Sequence, residues 1–201
     1  FKMGLAASEF NNFAASTPHR VDLYRGAAEG TPQGARIDDD TPHDSTLYND
    51  LSRLESYDMV VSDCEGLTWD STFAQRGDGS DASQGGKVRQ YVNRGGRMFL
   101  SHLSFSWLHQ NGSAPFSPAA PLATGLAGAG TWDENYLAAA NLNTSGTGVV
   151  SLGRPSASPR IQSFAAWMTS EGVIGDDRQF TITDPRSLVT ALGSDSEEFV
   201  Y

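Results

Sequence analysis

The segment from Tyr57 to Ser101 constrains the fold most. An apolar stretch, Tyr57-Asp58-Met59-Val60-Val61-Ser62, leads through a helical pattern to a second one, Arg97-Met98-Phe99-Leu100-Ser101. The first has a continuous apolar centre without strict alternation, which predicts a strand covered on both faces. A helix is expected over residues 84–93, carrying Val88, Tyr91 and Val92 on one face and ended by Gly95-Gly96. A crossover of this length between two strands predicts that they pair in parallel. The chain is therefore expected to be α/β.

Fainter signals flank this unit. Phe1, Met3 and Leu5 around Gly4 read as the end of a helix. Since an α/β domain ordinarily opens on a strand, a first strand is expected upstream of Phe1, making the chain a fragment of a larger protein. Arg20 to Tyr24 alternates, with Val21 and Leu23 inward and Arg20 and Asp22 outward. Residues 25–40 read as an exposed acidic loop. Thr41, as cap, and Pro42 then open a helix whose buried face is Leu47, Leu51 and Leu54. Residues 110–158 are Gly-, Ala-, Ser-, Thr- and Pro-rich and are expected to form a loop-rich insertion. A short helix within 132–142 and a short strand at 148–152 are its only regular parts. Ser158-Pro159 caps a helix with the rhythm Ile161, Phe164, Ala165, Met168, closed by Gly172. Phe180 and Ile182 alternate in a last strand over residues 179–183. A single domain over residues 1–201 is expected.

Charge and composition exclude several classes of function. Fourteen Lys and Arg against 24 Asp and Glu give a net charge of −10, which disfavours nucleic acid and anionic lipid as partners. No apolar run approaches the roughly 18 residues of a membrane span. A single cysteine, Cys64, excludes an internal disulfide and a cysteine-rich zinc site. With Lys2 and Lys87 the only lysines, the basic residues are almost all arginine, as in a GC-rich bacterial coding sequence.

In an open parallel sheet, ligands bind beyond the carboxyl ends of the strands. Here those ends carry Asp63, Cys64 and Glu65 before Gly66, and Ser101, His102 and Ser104. His102 opposite Asp63 or Glu65 has the chemistry of a general base or a metal ligand; equally, a histidine fits the entry turn of a helix and either carboxylate caps a turn. Cys64 is read as a small buried side chain, because no glycine-flanked elbow surrounds it. Ser101 lies where a nucleophile elbow would fall, yet Leu100, His102 and Leu103 crowd it. His102 and His109 form no metal-binding pattern, Gly77-Asp78-Gly79-Ser80-Asp81 lacks the ligands of a calcium loop, and no dinucleotide or phosphate loop is present, so no metal or cofactor is expected. Phe105, Trp107 and Phe116 are read as core, with a sugar-binding surface as the other reading.

Tyr57 to Val61, followed by Val88-Arg89-Gln90-Tyr91-Val92-Asn93-Arg94-Gly95-Gly96-Arg97-Met98-Phe99-Leu100-Ser101-His102, resembles the class I glutamine-amidotransferase-like superfamily, and within it the trehalose-utilisation (ThuA-like) branch. The resemblance implies a flavodoxin-like three-layer α/β sandwich with a mainly parallel sheet. The superfamily's catalytic cysteine would fall at Ser101 or His102, and its carboxy-terminal His-Glu pair has no counterpart around Thr183-Asp184-Pro185-Arg186, so glutaminase activity is not expected. Over most of residues 45–201 the chain is also similar to cell-surface proteins and lipoproteins of myxobacterial type. The likeness is carried by Tyr57 to Gly66, Tyr91 to His102, Trp167-Met168 and Thr183 to Arg186, and it implies export.

The function expected is a non-catalytic module of a larger exported bacterial protein. Its partners would be other domains of that protein, surface partners, or a small-molecule or glycan ligand. The rivals are a hydrolase-type enzyme using His102 with Asp63 or Glu65, and a ThuA-like sugar-metabolism protein.

Overall fold

A computed structural model describes residues 5–26, 36–62, 81–101, 104, 107, 145–152, 158–183, 191–194 and 196–201; for 109–113, 117–121, 130–132, 153 and 189–190 it describes the backbone alone. The described residues form a mixed α/β structure holding five two-stranded sheets, two of them parallel, without a continuous sandwich. The chain divides into two compact units, residues 1–126 and 127–201.

In the first unit, β1 (Phe10–Asn12) pairs in parallel with β2 (Val21–Leu23). β1 was not expected. The helix end around Gly4 falls outside the described residues. Beyond β2 an isolated parallel bridge joins Arg25 to His43. Two one-turn helices follow, α1 (Ser45–Tyr48) and α2 (Leu51–Leu54), where a single helix was expected. The break falls at Asn49-Asp50: Asp50 is extended, and its carboxylate accepts the Arg53 N–H as the cap of a new helix. Thr41 does not cap α1. Its buried hydroxyl accepts the N–H groups of Ile37 and Asp38, closing the acidic loop that precedes it.

β3 (Met59–Ser62) and β4 (Arg97–Leu100) pair in parallel, with Val60 opposite Met98 and Ser62 opposite Leu100. The crossover carries α3 (Gln84–Asn93), capped by Ser83, whose hydroxyl accepts the Gly86 N–H. Val88 and Tyr91 are buried as expected, but Val92 lies at the solvent edge. Tyr91 joins the helix to both strands: its hydroxyl accepts the Arg97 N–H at 3.2 Å and donates to the Tyr57 carbonyl at 3.0 Å. Gly95 has φ +100°, and a Cβ on Gly96 would fall within the Tyr91 ring, so the Gly-Gly pair both turns the chain and seats the tyrosine.

Leu47, Tyr48, Leu54, Val60, Val88, Tyr91 and Trp107 make the core of this unit, with Met98 and Leu100 packed against it. Each such buried side chain contributes about 1.5–3 kcal/mol of transfer free energy. Among the described residues the strand pair is covered on this face only. On the other, Met59, Val61 and Phe99 are 54%, 59% and 59% exposed, although cover on both faces was expected. Further along, β5 (His109–Ser113) and β6 (Ser117–Pro121) form an antiparallel pair where loop was expected.

In the second unit, β7 (Gly130–Trp132) pairs antiparallel with β10 (Val189–Leu192), and β8 (Ser145–Val149) with β9 (Gln179–Thr183). Phe180 and Ile182 of β9 face inward as their alternation predicts. The strand expected at 148–152 is β8, set slightly earlier and followed by a 3-10 turn at Ser151–Gly153; most of the helix expected within 132–142 falls outside the described residues. α4 (Pro159–Ser170) has the expected cap, Ser158, accepting the Ile161 N–H. It buries Ile161, Ala165 and Met168 against Val150 and Ile174, with Phe164, Phe180 and Phe199 at the margin. No helix among the described residues is long and apolar enough to cross a membrane.

Candidate functional site

The parallel pairing of β3 and β4 brings their carboxyl ends to one edge. The Ser101 N–H donates to the Ser62 carbonyl at 3.3 Å, carrying the ladder one residue past β4. The chain then turns, with the Ser104 N–H bonded to the Ser101 carbonyl at 2.8 Å. The Ser62 hydroxyl points to the covered face. It accepts from the Trp107 indole at 3.1 Å and donates to the Ser104 hydroxyl at 3.2 Å. Trp107 is 1% exposed and lies 4.4 Å, centroid to centroid, from the Tyr48 ring. An indole buried this deeply needs an acceptor, and Ser62 supplies it. Trp107 is thus core, as expected.

Asp63, Cys64, Glu65 and His102 all fall outside the described residues, as do Phe105 and residues 77–80. Ser62 and Ser101, which immediately precede Asp63 and His102 in sequence, are the neighbours the structure brings together. His109 lies in β5, where the backbone alone is described.

A second polar cluster was missed by sequence reasoning. The Asp22 carboxylate accepts from the Tyr57 hydroxyl at 2.5 Å on one oxygen and faces His19 Nε2 at 2.6 Å on the other. Since the Tyr57 proton goes to Asp22, Tyr24 donates to the Tyr57 oxygen across 2.8 Å. The other ring nitrogen of His19, Nδ1, lies 2.6 Å from the Thr17 carbonyl. The result is a chain running Tyr24, Tyr57, Asp22, His19. His19 and Asp22 side chains are only 11% and 15% exposed, so Asp22 does not face outward as its place in β2 predicted.

Burial, then the bond to Asp22, pushes the Tyr57 phenol well above its ordinary range. Tyr24 is raised as well, chiefly by burial. The Thr17 carbonyl, followed by the Asp22 carboxylate, holds His19 above the usual histidine value. Only a weak signal in the sequence pointed here: a histidine three residues before an aspartate that interrupts an apolar strand. Tyr57 arrives from 35 residues away, beyond the reach of local pattern.

Among the described residues no group of three or more His, Cys, Asp or Glu side chains is placed to share a metal ion. No protein-family model, curated protein or solved structure matches the chain.

Proposed function

We propose that the chain is a non-catalytic α/β module of a larger exported bacterial protein, working in ligand binding or surface assembly, with β3 and β4 inside a flavodoxin-like three-layer sheet. The observation that carries this reading is the two-sided apolar character of the pair. Val60, Met98 and Leu100 face the core, while Met59, Val61 and Phe99 present a second apolar surface to solvent. Strands buried on both faces have this composition, and an exposed apolar patch of this kind marks a surface that another layer covers. The occupant proposed is a further segment of the same parent protein. The engagement of Ser62 with Trp107 and Ser104 supports a structural use of the strand ends.

Hydroxyl-radical footprinting of Met59 and Phe99 tests the reading. Both side chains are expected to react more slowly in the full-length gene product than in the 201-residue chain. Equal rates in the two would remove it.

One observation favours the hydrolase-type alternative: the carboxyl ends of β3 and β4 share an edge, which is where open α/β sheets bind ligands. In that reading His102 acts as base with Asp63 or Glu65 as its orienting carboxylate. A panel of esters, amides and glycosides assayed with the parent chain and His102→Ala decides it. Turnover that disappears in the variant establishes the enzyme; no turnover by either protein supports the module.

A further inference from the structure

The His19 cluster is built around a histidine whose two ring nitrogens both face oxygens. The Thr17 carbonyl lies 2.6 Å from Nδ1 and Asp22 Oδ1 lies 2.6 Å from Nε2. A neutral imidazole has one N–H, so it can satisfy only one of these contacts; the other becomes a lone pair set against a lone pair. The doubly protonated ring satisfies both. We propose that His19 is a protonation-gated clasp on the connection between β1 and β2: as imidazolium it ties Thr17 to Asp22, and on losing a proton it releases one of them and frees residues 13–20.

The clasp can report on more than itself because of what the loop covers. Phe13, at its start, has the Arg53 guanidinium 4.1 Å above its ring and the Tyr24 ring at 6.2 Å. Tyr24 in turn meets Tyr57 edge-on. Release of the loop therefore loosens the cover over the Tyr24–Tyr57–Asp22 chain. The charged and titratable groups around it are identifiable. Glu9 of the turn before β1 is paired with Arg20 at 2.6 Å, Asp22 lies on β2, Asp50 and Arg53 lie at α2, and Tyr24 and Tyr57 complete the chain. Pairing with Glu9 raises Arg20, pairing with Arg20 lowers Glu9, and burial raises the two phenols, so each of these groups is moved away from neutrality. Of the groups named here, His19 is the one whose ordinary range lies near neutral pH.

The sign follows from linkage. His19 is raised in the folded chain, so the clasp is fully formed below the histidine's unfolded value of about 6.5 and is lost as pH rises through its folded value.

Two readouts on the intact chain test this together: the His19 ring resonance through a pH titration, and amide-exchange protection corrected for intrinsic rate. Ala15, whose N–H bonds the Asn12 carbonyl at 2.9 Å, and Arg20, bonded to the Glu9 carbonyl at 3.1 Å, report on the loop. The expected result is loss of protection at both amides as pH rises through the His19 midpoint, the two transitions coinciding. In Asp22→Asn, which removes the carboxylate, both transitions are expected to move together to lower pH. Protection that is flat with pH in the parent chain, or a loop transition that stays put while the His19 midpoint moves, would overturn the proposal. The parent-chain measurement decides it even where a variant fails to fold.

Discussion

Removing a single oxygen from Tyr91 isolates what holds α3 to the two parallel strands. The ring is buried, and its hydroxyl is the acceptor for the Arg97 N–H at the start of β4 and the donor to the Tyr57 carbonyl just before β3. Tyr91→Phe keeps the ring on Gly96 and leaves those two backbone groups without that partner. An unsatisfied buried polar group costs about 1–3 kcal/mol. Amide exchange of Val60 and Met98, followed in increasing urea, reads opening of the first unit alone. The stability loss converts to exchange about 5- to 150-fold faster. Tyr91→Leu removes ring packing as well and is expected to cost more, while Gly96→Ala, which drives a methyl into the ring, is expected to cost about 1–3 kcal/mol by overpacking. A change below twofold for Tyr91→Phe would refute the reasoning, because the hydroxyl would then contribute nothing to the junction; a loss equal to that of Tyr91→Leu would instead show that the ring packing contributes nothing.

Other substitutions probe the remaining cores. Leu54 is fully buried in the core of the first unit, so Leu54→Ala is expected to cost about 2–5 kcal/mol, read as a lower urea midpoint for that unit. Ser158→Ala removes the acceptor for the Ile161 N–H and is expected to destabilise α4 by about 1 kcal/mol, seen as faster exchange in its first turn with the first unit unchanged.

What was legible in the sequence was local. Ser158-Pro159 with Gly172, and residues 84–93 with Gly95-Gly96, declare their helices because caps and positive-φ termini are satisfied within a few residues of chain. β3 and β4 were legible because their apolar runs flank such a helix, and a parallel ladder follows from the crossover. Leu47, Leu51 and Leu54 misled: their spacing is helical throughout, but Asp50 competes by capping a second helix from an extended backbone. β1 was hidden because Phe10-Asn11-Asn12 becomes a strand only through its pairing with β2. The same holds for β5 to β7, whose short polar and Gly-, Ser- or Ala-containing segments have little strand preference of their own. Asp22 was placed outward by alternation, and only tertiary contact with Tyr57 and His19 reverses that. For the strand-end site, the structure contributes the common edge of Ser62 and Ser101 and the packing of Trp107 behind it.

The measurement that tests the whole account most directly is a backbone NOE map of residues 57–62 and 96–101. Staggered amide-to-α-proton contacts joining Met59 through Ser62 with Arg97 through Leu100, in ascending order on both strands, are what the account predicts. Close α-proton pairs running in opposite order, or no contacts between the two segments, would contradict it.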